Sequence, residues 1–282
     1  MNEGGDAAEP QLDVLSDGSV VSYKSSQSRT CLALAVSPNI ICFHGSGETA
    51  TESWTELVKL LSKDHSLILL DRGSCTSSVE DHIRSIRQYL CTAQVVAPYI
   101  LLAHSYGGTF AKQFLLQHSE DVAGIVLVET GKSQDPRDKA GYPSWNAGKG
   151  RLGAKPLVVI RGDSLGTSRL AVDALENATK AGAPIQSMLL QRRQMLTDAE
   201  KQDEGLEKAQ LQLSSRNRYV HLPDCGHNVI RDRPDVVVSE VQWIMENLQA
   251  RNEGSARTSR IWCSVGHLIS VTKSWRDRSL ST

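Results

Sequence analysis

The chain has 282 residues, 40% hydrophobic and 22% charged, and its 31 basic residues nearly cancel 32 acidic ones. That is the composition of an ordinary globular protein with room for one large α/β domain or two small ones, and it argues against a nucleic-acid footprint. No apolar run approaches the length that a bilayer span needs, and Met1-Asn2-Glu3-Gly4-Gly5-Asp6 lacks the basic and apolar regions of a signal peptide. The expected setting is therefore the cytoplasm, with no membrane span. The cysteines Cys31, Cys42, Cys75, Cys91, Cys225 and Cys263 show no Cys-x-x-Cys spacing. They read as reduced packing residues, with no metal site, no cofactor and no disulfide framework.

In chain order, residues 1–19 are polar and read as a disordered N-terminus. Val20–Tyr23 and Cys31–Val36 read as two antiparallel strands. Asn39–Gly45 is an apolar strand ending in glycine, within His44-Gly45-Ser46-Gly47, and Trp54, Leu57, Val58, Leu60 and Leu61 follow at helical spacing. Ser66–Asp71 is a buried strand, and Val79, Ile83, Ile86 and Leu90 mark an amphipathic helix. Tyr99–Ala103, Val122–Val128, Pro156–Ile160 and Asn217–Leu222 are further strands. Residues 131–155 read as loop, 165–214 as mostly helical and polar, and 234–248 as a final amphipathic helix. Helices alternate with strands that are mostly continuous apolar runs, which predicts a mostly parallel sheet covered on both faces within one domain, residues 20–250. The remainder, 251–282, is basic and serine-rich and reads as a disordered tail.

Chemistry concentrates at strand ends. Leu101-Leu102-Ala103-His104-Ser105-Tyr106-Gly107-Gly108 passes from strand through a tight turn to a helix, with small residues two before and two after the serine. This is the pattern of a nucleophile elbow, with Ser105 as nucleophile and the Tyr106 N–H as a donor to a developing oxyanion. The glycines of His44-Gly45-Ser46-Gly47 allow a second such donor, the N–H of Ser46. A serine needs a base, and His227, in a loop after the last strand, has the reach for it. His44 and His104 adjoin the two turns and shape them, while His65, His82, His118, His221 and His267 are worse placed. Two carboxylates end neighbouring strands, Glu129 and Asp163. Either can orient the base, and the other is then a loop carboxylate or helix cap. In the helical segment, Met188, Leu189, Leu190, Met195 and Leu196 read either as a partial cover for the site or, preferably, as the core face of a crossover helix.

His44-Gly45-Ser46-Gly47, Leu70-Asp71-Arg72-Gly73, Ala103–Gly108 and Cys225-Gly226-His227, in this order, resemble the α/β-hydrolase superfamily over residues 35 to 250. The resemblance implies an eight-stranded, mostly parallel sheet with an antiparallel N-terminal hairpin. It also implies Ser105 as nucleophile, His227 as base, and the N–H groups of Ser46 and Tyr106 as oxyanion hole. Many members carry the acid as Gly-x-x-Asp two strands beyond the elbow, whereas Asp163 follows Gly162 directly. Haloalkane dehalogenase-like and zearalenone lactonase-like members place it one strand earlier, as Glu129 is placed, and Glu129 is preferred here. The expected activity is hydrolysis of a small-molecule ester, lactone or thioester through an acyl-enzyme. The alternatives are a binding protein without turnover, or a cofactor-free enzyme of acyl transfer, cyclisation or perhydrolysis. Substrate, pathway and oligomeric state stay open.

Overall fold

The computed structural model describes residues 11–14, 20–24, 37–47, 53–70, 78–131, 148–182 and 184–248. Its strands are β1 (Gln11–Val14), β2 (Val20–Lys24), β3 (Asn39–Phe43), β4 (Leu67–Leu70), β5 (Tyr99–His104), β6 (Val122–Val128), β7 (Leu157–Arg161) and β8 (Asn217–His221). They form one sheet in the order β1-β2-β4-β3-β5-β6-β7-β8. β3 to β8 run parallel, and β1 and β2 close one edge antiparallel. The helices are α1 (Thr55–Leu61), α2 (Val79–Thr92), α3 (Gly107–Gln117), α4 (Gly166–Lys180), α5 (Gln186–Ala209), α6 (Val229–Asp232) and α7 (234–248), with a 3₁₀ turn at Gln210–Leu213.

The apolar runs explain the sheet. Successive side chains of a strand point to opposite faces, so a strand covered on both faces must be apolar throughout. Every residue of β5, β6 and β7 is buried. Ile41, Leu101, Leu127 and Val159 join Ile83, Ile86, Phe110 and Phe114 of α2 and α3 in one core. Their neighbours Ile40, Leu102, Val126 and Val158 join Leu57, Leu61, Val237, Val241 and Ile244 of α1 and α7 in the other. α2 begins where Ser78 accepts the Asp81 N–H, with Glu80 and Asp81 in its first turn, both favourable at a helix N-terminus. β8, the outer parallel strand, is mostly polar and partly exposed, as edge strands tolerate.

The hairpin differs from expectation: Val20–Lys24 pairs with Gln11–Val14, and Cys31–Val36 lies outside the described residues. Gln11–Val14 falls within the stretch read as disordered. Leu12 and Val14 do alternate with polar residues, but over four positions a period of two does not stand out. Residues 165–214 resolve into two helices and a 3₁₀ turn. Met188, Leu190 and Met195 are 50%, 58% and 54% exposed, so they are not a core face; on α5 the buried residues are Leu189, Asp203 and Glu207. Asp71-Arg72-Gly73, residues 132–147 and the tail 251–282 lie outside the described residues. Among the described residues no helix is long and apolar enough to cross a membrane.

Candidate active site

Parallel strands deliver their carboxyl ends to one edge, and the chemistry-bearing turns collect there. In β5, Ala103 pairs with Phe43 of β3 and Leu127 of β6, so the turn after β5 lies between the turns after those strands. Ser105 takes φ +51°. Its N–H donates to Val128 O at 2.9 Å, and its carbonyl accepts the Gly108 N–H at 3.0 Å. α3 starts at once. A Cβ on Gly107 would stand 2.1 Å from Phe43 O and 2.8 Å from His44 O, and one on Gly108 would stand 2.6 Å from Thr130 Cβ. The small residues around the serine are thus needed because helix, strand ends and the loop after β6 crowd together.

Glu129 follows β6 in a second left-handed conformation, φ +53°. A non-glycine residue held there costs on the order of 1–3 kcal/mol and persists only when its surroundings enforce it. Among the described residues three non-glycines have positive φ, and two of them, Ser105 and Glu129, are at this edge. Glu129 is buried. Its N–H donates to Ile160 O at 2.9 Å, and Oε1 accepts the Gly162 N–H at 2.5 Å. Oε2 lies 3.0 Å from His227 Nδ1, and His227 Nε2 lies 2.9 Å from Ser105 Oγ. A carboxylate only accepts, so Nδ1 carries the proton. Nε2 is left with a lone pair, to which Ser105 Oγ–H donates. His104 Nε2 meets the His227 carbonyl at 3.0 Å; a carbonyl also only accepts, so His104 donates and ties the His227 backbone to β5.

Gly162 is the residue whose use was not visible in the sequence. A Cβ there would stand 2.4 Å from Gly226 O and 2.8 Å from Cys225 O. Its bareness lets the His227 loop lie against the end of β7, while its N–H holds Glu129. The neighbouring Asp163 points elsewhere: its carboxylate accepts from Leu165 N–H at 3.2 Å and Arg169 Nη2 at 2.8 Å at the start of α4. A cleft of about 520 Å³ opens there, lined by Arg161, Asp163, Arg169, Glu200 and Lys201 among others, with Arg169 shared between Asp163 and Glu200. Ser105, Glu129 and His227 do not line it.

On the turn after β3, His44 is buried and its Nδ1 donates to Gly45 O at 2.7 Å. Because the peptide is planar and trans, the Ser46 N–H of the same unit points the opposite way. Gly47, at φ +73°, completes the turn. Tyr106 is the first residue before α3. Cys225, two residues before His227, is buried, and burial pushes its thiol pKa up, which keeps it protonated and unreactive. Among the described residues one trio, His118, Glu120 and Asp121, brings potential metal ligands together. It lies at the opposite edge of the sheet, and Asp121 is already paired with Arg87 at 2.7 Å.

Over residues 38–164 the chain matches the family described as alpha/beta hydrolase fold. The chain has the α/β-hydrolase fold. Solved structures agree on the fold. The esterase RhEst1 from Rhodococcus sp. ECU1013 superposes with a TM-score of 0.51 at 18% identity, over 85% of this chain and 99% of that one. A serine hydrolase involved in carbazole degradation, the CarC enzyme, gives 0.54 at 12% identity, over 84% and 98%. Among curated relatives, the "Probable transporter efuK" of Hormonema carpetanum is 23% identical over 75% of this chain. The chain spans only 40% of the length of that relative and 14% of that of another, a protein of Schizosaccharomyces pombe.

Proposed function

We propose that this chain is a serine hydrolase that cleaves a small-molecule ester, lactone or thioester. The observation that carries the reading is His227 bridging Ser105 Oγ at 2.9 Å and Glu129 Oε2 at 3.0 Å. The names of the esterase and serine hydrolase that share the fold support it. Ser105 Oγ attacks the acyl carbon while His227 Nε2 takes its proton, and Glu129 holds the imidazole in the required tautomer and stabilises the imidazolium. The oxyanion forms on the N–H groups of Ser46 and Tyr106, the latter at the head of α3, where the helix dipole favours negative charge. His227 returns the proton to the departing alcohol or thiol. A water then attacks the acyl carbon, giving its proton to His227, and Ser105 leaves with that proton as the acid is released.

The test is labelling of the intact chain by a fluorophosphonate, which reacts with an activated serine whatever the substrate. The wild type is expected to label and to hydrolyse p-nitrophenyl acetate. Ser105→Ala is expected to do neither while keeping its melting temperature. An unlabelled wild type, or labelling that survives in a folded Ser105→Ala variant, would overturn the assignment.

A further inference from the structure

The two residues after Glu129, Thr130 and Gly131, are tied to the far end of α5. Thr130 Oγ1 lies 2.6 Å from the Gln210 side-chain amide, that amide lies 2.6 Å from Glu207 Oε2, and the Gly131 N–H donates to Glu207 Oε1 at 2.7 Å. The ring closes on itself, and Glu207 and Gln210 are 1% and 0% exposed. Gly131 is packed so tightly on α5 that a Cβ would stand 2.8 Å from the Glu207 backbone nitrogen. The ring therefore grips the chain immediately beyond a residue whose left-handed backbone needs enforcement.

We propose that Glu207, with Gln210, is a positioning residue: it holds residues 130–131 so that Glu129 keeps its backbone conformation and its carboxylate stays on His227. The proposal rests on the roles given above to Ser105, His227 and Glu129. Among the described residues Glu207 has no ion-pair partner. The titratable groups that face it are Glu129 after β6, Asp203 on α5 and Tyr219 on β8. Arg161 of β7 is engaged with Asp203 at 2.8 Å. Burial first, opposed by the Gly131 N–H and helped by the charges of Glu129 and Asp203, pushes the Glu207 pKa up to about 8. At neutral pH Glu207 is uncharged and accepts the Gly131 N–H at Oε1, while its Oε2–H donates to the Gln210 amide, turned so that its oxygen faces Glu207 and its nitrogen faces Thr130 Oγ1. Glu207 grips Gly131 without setting a second negative charge beside Glu129.

Two variants of the full chain test this. Glu207→Leu removes the acceptor. Glu207→Gln keeps an acceptor for Gly131, and its amide N–H donates to the Gln210 oxygen in place of the carboxyl O–H, so the ring through Thr130 is kept. With p-nitrophenyl acetate, Glu207→Leu is expected to lower kcat by up to about a hundredfold with KM little changed, the signature of a misplaced catalytic group. Glu207→Gln restores most of the loss. The downfield proton resonance of His227 Nδ1–H, assigned by its loss in His227→Gln, is expected to persist in wild type and Glu207→Gln and to broaden or move in Glu207→Leu.

Folded Glu207 keeps its proton to about pH 8, whereas in the unfolded chain the group titrates near 4.5. Between those values the folded state binds more protons, so stability falls as pH rises through this window. Glu207→Gln should flatten that dependence of the melting temperature. Should Glu207→Leu fail to fold, Gln210→Leu, which cuts the ring at Thr130, takes its place. A leucine variant with wild-type kcat and an unmoved resonance, or a glutamine variant as slow as the leucine one, overturns the proposal. A wild type that neither labels nor hydrolyses sinks the hydrolase reading alone. The Nδ1–H resonance needs only the His227–Glu129 pair and still decides the role of Glu207.

Discussion

At the scale of single residues, the choice between two carboxylates separates function from packing. Glu129 spends one oxygen on the Gly162 N–H and the other on His227. Asp163 spends one oxygen on the first turn of α4 and on Arg169, a partly exposed pair in which screening leaves little net energy. Glu129→Gln retains the shape but offers no fixed negative charge to the imidazolium. It is expected to lower kcat by several orders of magnitude, as loss of a triad acid does at about 10⁴-fold in a serine protease. Asp163→Asn is expected to leave kcat near wild type and to cost roughly 1 kcal/mol or less through a weakened turn before α4 and a weakened Arg169 pair. Steady-state kinetics and thermal melts of both variants decide it. The opposite pattern would assign the acid to Asp163.

At the scale of elements, two glycines show what a missing side chain does in different surroundings. Gly205 lies within α5, exposed, and a Cβ there would meet nothing within 4 Å. Alanine lowers the entropy cost of helix formation, so Gly205→Ala is expected to stabilise by about 0.5–1 kcal/mol. In a domain this size that corresponds to a melting temperature higher by roughly 1–4 °C. Gly162 ends β7, where a Cβ would meet backbone oxygens of Gly226 and Cys225. Backbone cannot turn aside as a flexible side chain does, so Gly162→Ala must displace the His227 loop or the end of β7. The expected cost is about 1–3 kcal/mol, together with a lower kcat because both His227 and the Glu129 partner N–H move. Melts and kinetics of the pair check this, and a Gly162→Ala variant indistinguishable from wild type would show that the loop carries no such constraint.

At the scale of the whole molecule, legibility in the sequence tracks contact range. β3 and β5 to β7 are readable because double-sided burial writes itself as an unbroken apolar run, and Ser105 because its turn, strand and helix are contiguous. What sets the His227 loop beside Glu129 is the bare Cα of Gly162 against residues some sixty positions on, and no local pattern encodes that. Glu207 was not legible for the same reason: it reaches Gly131 from the end of a polar helix. β1 escaped because four residues are too few to show a period, and the exposed methionines of α5 because apolar residues at helical spacing look alike whether or not something covers them.

The end of the fold is readable both ways and carries the last prediction. α7 places Val237, Val241 and Ile244 in the core, all fully buried, and Arg216 Nη1 donates to Asn247 O at 3.1 Å. Each such aliphatic side chain contributes roughly 1.5–3 kcal/mol by burial, so the three together rival the whole stability of a domain, about 5–15 kcal/mol. A chain ending after Asp232 therefore exposes the second core and is expected to lose cooperative unfolding. The sequence beyond Ala250 has no period with which to build a core. A chain ending at Ala250 is expected to unfold cooperatively within a few degrees of the full-length protein and to keep its labelling at Ser105. Melts followed by circular dichroism compare the three. A large drop for the chain ending at Ala250 would mean that residues 251–282 pack on the domain, and survival of the shorter one would mean that α7 is not needed to close it.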